Sequence, residues 1–182
     1  MSNSNIKELK IDKVSKTFPG VKALDNVSMN LHSGKVHALM GENGAGKSTL
    51  IKILAGAYDK DEGRIFFDEK ELDIKSPHDS LNYGIKVVYQ EISLISEFTV
   101  AENIFLENFP TNKFGIINWK KLYGDAEDLF SKIGFNLNPR SKISELSISQ
   151  QQMVEIARAI FQNASVVIMD EPTSSLTPNE ID

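Results

Sequence analysis

The chain has 182 residues, 41% hydrophobic and 25% charged, the composition of a folded globular domain rather than a disordered or fibrous chain. Its 20 Lys and Arg against 25 Asp and Glu give a net charge of −5, so no overall field draws it to nucleic acid. It has no cysteine, which excludes disulfide frameworks, thiolate zinc sites and thiol catalysis.

The polar start, Met1 to Lys10, lacks the apolar stretch of a secretion signal, and no run reaches the roughly 18 apolar residues of a membrane span. A soluble, intracellular domain is therefore expected. Leu9 and Ile11 alternate with polar neighbours, and Val27, Met29 and Leu31 do so more clearly, predicting a small β layer. Val36 to Met40 is mostly apolar and stops at Gly41, the pattern of a strand entering a glycine loop. Lys47 to Ala55 reads as a helix. Asp59 to Gly63 is a turn, followed by a strand from Arg64 to Phe67. Ser76-Pro77 starts a helix, with Ser as N-cap and Pro at the first helical position. Ile85 to Tyr89 is the next strand.

Two capping boxes, Thr99-Val-Ala-Glu102 and Ser147-Ile-Ser-Gln150, open later helices. On the second, Met153, Ile156, Ala157 and Ile160 share one face, which is expected to pack against other elements. Asn118 to Ile133 reads as a helix closed by Gly134. Val166 to Met169 is an apolar strand expected to be buried on both faces. Strands alternating with helices predict an α/β fold with a mainly parallel sheet flanked by helices.

Gly41-Glu-Asn-Gly-Ala-Gly46-Lys47-Ser48 satisfies the phosphate-loop pattern. Its glycines let the backbone N–H groups along Gly41, Asn43, Gly44, Ala45, Gly46, Lys47, Ser48 and Thr49 curl around phosphate oxygens, with the helix N-terminus adding donors and dipole. Lys47 would reach the β- and γ-phosphates and the Ser48 hydroxyl would ligate Mg²⁺. The strand 166–169 delivers Asp170 and Glu171 at its C-terminal end, where ligands of open α/β sheets bind. Alone, that pair reads as a solvated acidic turn. Together with the phosphate loop, it places Asp170 on Mg²⁺ and Glu171 on the attacking water.

Leu146-Ser147-Ile148-Ser149-Gln150 resembles the signature sequence of ATP-binding cassette (ABC) proteins, and it stands shortly before the acidic strand as in that family. The resemblance covers nearly the whole chain, with the motifs in the family's order. It implies a P-loop NTPase fold with a small antiparallel β layer and a helical subdomain: a core of residues 1–90 and 160–182, and a helical part at about 91–159. It implies that Gln90 senses Mg²⁺ and water, that 174–177 form the D-loop, and that Phe18 stacks on adenine, although an aromatic before Pro19-Gly20 is also a common core residue. Ser147, Ser149 and Gln150 would contact the ATP held by a facing cassette. Finer detail resembles the monosaccharide importers, closest to the galactose and methyl-galactoside type; nucleoside importers and soluble translation-associated cassettes are the alternatives.

The partners so implied are a second cassette, transmembrane permease subunits and, indirectly, a sugar-binding protein outside the membrane; no nucleic acid is expected. The location implied is peripheral, on the cytoplasmic face of the membrane. Phe98, Phe105 and Phe109 are candidates for the permease-docking surface, with burial as the alternative. Two departures stand out. Ile148 and Ser149 replace two glycines, at a cost of roughly 1–2 kcal/mol for any residue there that must be left-handed. The family's switch histidine matches none of His32, His37 and His78, and its strand, which lies between the phosphate-loop strand and the acidic strand, follows the D-loop. The chain is accordingly expected to be part of a cassette that binds MgATP and hydrolyses it poorly.

Overall fold

The computed structural model describes residues 7–89, 92–162 and 164–170. They fall into two compact units, 1–86 and 87–182. In the first, β1 (Glu8–Phe18) and β2 (Val21–His32) form a long hairpin, and β3 (Glu62–Phe67) and β4 (Lys70–Glu71) extend it into an antiparallel sheet of order β2-β1-β3-β4. Ile11 lies opposite Met29 on one side and Ile65 on the other. Leu9 and Ile11 are buried, as the alternation predicts; Val14 is buried too, beyond a register shift that breaks the alternation, and the hairpin is much longer than the short apolar patches suggested.

Helix α1 (Lys47–Leu54) buries Leu50, Ile51, Ile53 and Leu54 along one stripe. Helix α2 (Pro77–Asn82) starts as its sequence dictates: Ser76 Oγ accepts the Asp79 N–H and Pro77 fills the first helical position. The buried Ser80 hydroxyl lies 2.8 Å from Leu54 O and 3.1 Å from Ile85 O, tying the end of α1 to α2.

The strand expected at Val36 to Met40 is a departure. These residues belong to no ladder among the described residues, and Val36 is 99% and Met40 88% exposed. An apolar run becomes a buried strand only when another strand pairs with it. No described strand lies beside this one.

In the second unit, α3 (Val100–Ile104), α4 (Trp119–Ile133) and α5 (Ile148–Phe161) enclose a core of Val100, Ile104, Phe105, Leu122, Phe130 and Val154. Both capping boxes form, Asn118 caps α4, and a left-handed Gly134 closes it. Strand β6 (Val166–Met169) pairs in parallel with β5 (Ile85–Val88). Contrary to expectation, β6 is half-buried, with Met169 exposed, because β5 is its one described neighbour.

The inward face of α5 also differs from expectation. Val154, Ala157 and Ala159 are buried, and so are the polar Ser149, Gln152 and Glu155, while Ile160 is exposed. Polar side chains enter a core when they find hydrogen-bond partners there. A count of apolar spacing cannot register that.

Candidate nucleotide site

The phosphate loop begins at Gly41, nine residues on from the end of β2 at His32, and runs into α1, inside the first unit. Gly44 and Gly46 are left-handed, with φ of 85° and 86°. A Cβ on Gly46 would lie 2.3 Å from Ala23 O and 2.8 Å from Leu24 Cδ2, so the loop closes directly on the backbone of β2 and only glycine fits. Helix α1 has no side-chain cap and no acidic residue in its first turn. Its first N–H groups have no intrahelical acceptor, and its positive dipole end is uncompensated.

Lys47 Nζ donates to Gly41 O at 2.7 Å and to Glu42 O at 3.0 Å, which holds an ammonium across the loop. The helix N-terminus and the lysine fit the oxygens of a polyphosphate; the Ala45 N–H, expected among the phosphate donors, instead donates to Glu42 O at 3.1 Å within the loop. Asn43, Gly44, Ala45 and Ser48 are exposed, and Thr49 is half-buried.

Phe18 ends β1 and is half-buried, edge-on to Tyr58 with ring centroids 5.4 Å apart. Lys16 Nζ lies 5.6 Å from the Phe18 ring and Lys52 Nζ 5.3 Å from the Tyr58 ring. Nothing in the sequence singles out Tyr58, because it meets Phe18 only when the bend after α1 folds back on the end of β1.

In the second unit, Asp170 follows β6 and its N–H donates to Val88 O at 3.0 Å. Gln90, Glu171 and the predicted D-loop, 174–177, lie outside the described residues. Ser147 is the N-cap of α5. Ser149 is buried with its hydroxyl 2.9 Å from Ser147 Oγ, and Gln150 spends its side-chain oxygen on the Ser147 N–H. Ile148 and Ser149 open α5, and neither has a positive φ. Replacing glycine here therefore stores no left-handed strain.

Phe105 belongs to the core, and Phe98 and Phe109 are half-buried. The exposed aromatics of this segment are Phe114 and Trp119, joined by an exposed Ile116. Among the described residues no helix is long and apolar enough to cross a membrane.

Residues 24–174 match the family model for ABC transporters. A ribose import ATP-binding protein from Streptomyces coelicolor is 51% identical over 174 residues, 96% of this chain and 34% of that protein. A galactose/methyl galactoside import ATP-binding protein from Salmonella typhimurium is 48% identical over 173 residues, 95% of this chain and 34% of that protein. The chain thus spans about a third of the length of the curated relatives it matches. Among solved structures, an ATP-binding cassette of an ABC transporter in its ADP conformation superimposes with a TM-score of 0.81 at 31% identity, covering 96% of this chain and 72% of the other. The protein cbiO1 from Clostridium perfringens, part of the ABC transporter complex cbiONQ, gives 0.78 at 27% identity, over 95% and 68%.

Proposed function

Because this chain belongs to the ABC transporter family and shares its P-loop NTPase fold, we propose that it is part of an ATP-hydrolysing subunit that powers import of a simple sugar of the galactose or ribose class. The observation that carries this reading is the phosphate loop, in which left-handed Gly44 and Gly46 lead into the uncapped N-terminus of α1 under the Lys47 ammonium.

The assigned roles follow the chemistry of each group. N–H groups between Gly41 and Thr49 bind the phosphates, Lys47 neutralises their charge, and Phe18, with Tyr58 beside it, offers a ring to adenine. Ser48, Asp170 and Gln90 are all oxygen donors, which suits a hard cation. Mg²⁺, when bound, supplies charge neutralisation between the β- and γ-phosphates. Glu171 orients and polarises the attacking water. The α5 N-terminus, with Ser147, Ser149 and Gln150, faces the γ-phosphate of ATP on a second cassette. Residues 1–90 and 160–182 are assigned to the core and about 91–159 to the helical subdomain that meets the permease. The subunit works peripherally, on the cytoplasmic face of the membrane.

The test is MgATP binding and hydrolysis by the full-length polypeptide beside Lys47→Ala. Loss of both in the variant, with its fold intact, supports the reading; equal binding by the two overturns it. Stimulation of the assembled transporter by binding protein loaded with ribose, galactose or a nucleoside then identifies the cargo.

A further inference from the structure

Glu155 is a buried carboxylate, 7% exposed, that forms no ion pair among the described residues. Such a group costs free energy unless its lone pairs are filled. One oxygen is filled twice by a single residue: Ser93 N donates to Glu155 Oε1 at 2.9 Å, and Ser93 Oγ donates to the same oxygen at 2.9 Å. A charged acceptor makes these stronger than ordinary neutral bonds.

The two ends of this link fall at informative places. Glu155 lies on α5, about 12 Å along the helix from the N-cap Ser147 at its 1.5 Å rise per residue. Ser93 lies three residues after Gln90, a reach of about 10 Å at full extension. The segment is held again two residues on: Ile95 N donates to Asn103 Oδ1 at 2.8 Å, and Asn103 Nδ2 donates to Ile95 O at 3.1 Å. Residues 93–95 are thereby fastened to α5 and α3 at once. Among the described residues no salt bridge explains a carboxylate at position 155, and an apolar residue there would satisfy the helix more cheaply.

We propose that Glu155 is a positioning residue, fastening the segment that follows Gln90 to the helix that begins at Ser147, so that the two parts move as one body during ATP turnover. This rests on the ATPase reading above. Its effect falls on the rate of turnover rather than on nucleotide affinity, because the phosphate loop is built from other residues.

The experiment measures kcat and KM for ATP in the full-length polypeptide in its native assembly, for wild type, Glu155→Ala, Glu155→Gln and Ser93→Ala. Turnover by wild type and its loss in Lys47→Ala test the ATPase assignment separately. The expected result is a kcat about tenfold lower in Glu155→Ala at unchanged KM, with Glu155→Gln restoring most of it, because an amide oxygen can accept the same two bonds. Wild-type kcat in a folded Glu155→Ala, or no rescue by Gln, overturns the proposal. If Glu155→Ala does not fold, the exposed Ser93→Ala decides: a severalfold lower kcat at constant KM supports it, and wild-type kcat overturns it.

Discussion

Ser147 and Gln150 bond reciprocally: Ser147 Oγ accepts the Gln150 N–H at 3.3 Å, and Gln150 Oε1 accepts the Ser147 N–H at 3.0 Å. The pair starts α5, and under the proposed function it is the N–H groups of that first turn, rather than these two bonded side-chain oxygens, that meet the anion. Ser147→Ala is expected to cost about 1 kcal/mol of stability. Ser147→Asp keeps a cap and suits the helix dipole, so its melting temperature should stay near that of wild type. Its carboxylate would meet the γ-phosphate of a facing cassette, and ATP-dependent association, followed by size-exclusion chromatography, should be lost.

Two glycines should answer alanine in opposite directions. Gly46→Ala must adopt a left-handed φ at about 1–2 kcal/mol and push against Ala23 O and Leu24 Cδ2. Calorimetry should show a lower melting temperature and no MgATP binding. Gly124 sits inside α4 with open space around its missing Cβ. Gly124→Ala should stabilise the chain by about 0.5–1 kcal/mol and leave binding unchanged.

Asn103 is fully buried and uses both ends of its amide: besides its two bonds to Ile95, Nδ2 donates to Thr99 O at 3.0 Å. Asn103→Ala leaves the Ile95 N–H without its partner, at about 1–3 kcal/mol if it stays shut off from water, while Ile95 O keeps the Phe98 N–H and Thr99 O keeps the Asn103 N–H. A lower urea midpoint, corresponding to a loss of about 1–3 kcal/mol, is the expected outcome. Asn103→Asp should do no better, because it removes the two N–H bonds and buries a charge.

The Asp61 carboxylate takes Lys16 Nζ at 2.8 Å and the Thr17 N–H at 2.7 Å, binding the turn before β3 to β1. The Lys16 bond first and the Thr17 N–H second hold its carboxyl below the usual 3.8. Protonation is then harder in the folded chain than in the unfolded one. The pair adds stability above pH 3.8 and loses it as pH falls through the folded value. The gap in urea midpoint between wild type and Asp61→Asn should therefore be present at neutral pH and close in acid.

Local signals carried much of the fold. The boxes at Thr99 and Ser147, the Ser76-Pro77 start and the Gly134 stop each satisfy backbone groups within a few residues, so the structure realises them where the sequence places them. The family and its fold were legible for a similar reason, since the phosphate loop and the signature are contiguous. What failed depended on distant neighbours. Val36 and Met40 needed a pairing strand, and Met169 a second one. The burial of Glu155 needed Ser93, which lies 62 residues away. Tyr58 beside Phe18 was missed because a contact between a bend and a strand end 40 residues earlier leaves no periodic trace.

The closure of Gly46 on Ala23 makes the phosphate loop a poor transplant. A designer who moved residues 41–49 alone onto another strand–helix junction would carry the glycines without the surface that selects them. The loop would then sample the many conformations open to glycine and meet phosphate with an entropic cost that the native chain has already met on folding. The smallest portable unit includes the stretch of β2 around Ala23 and Leu24.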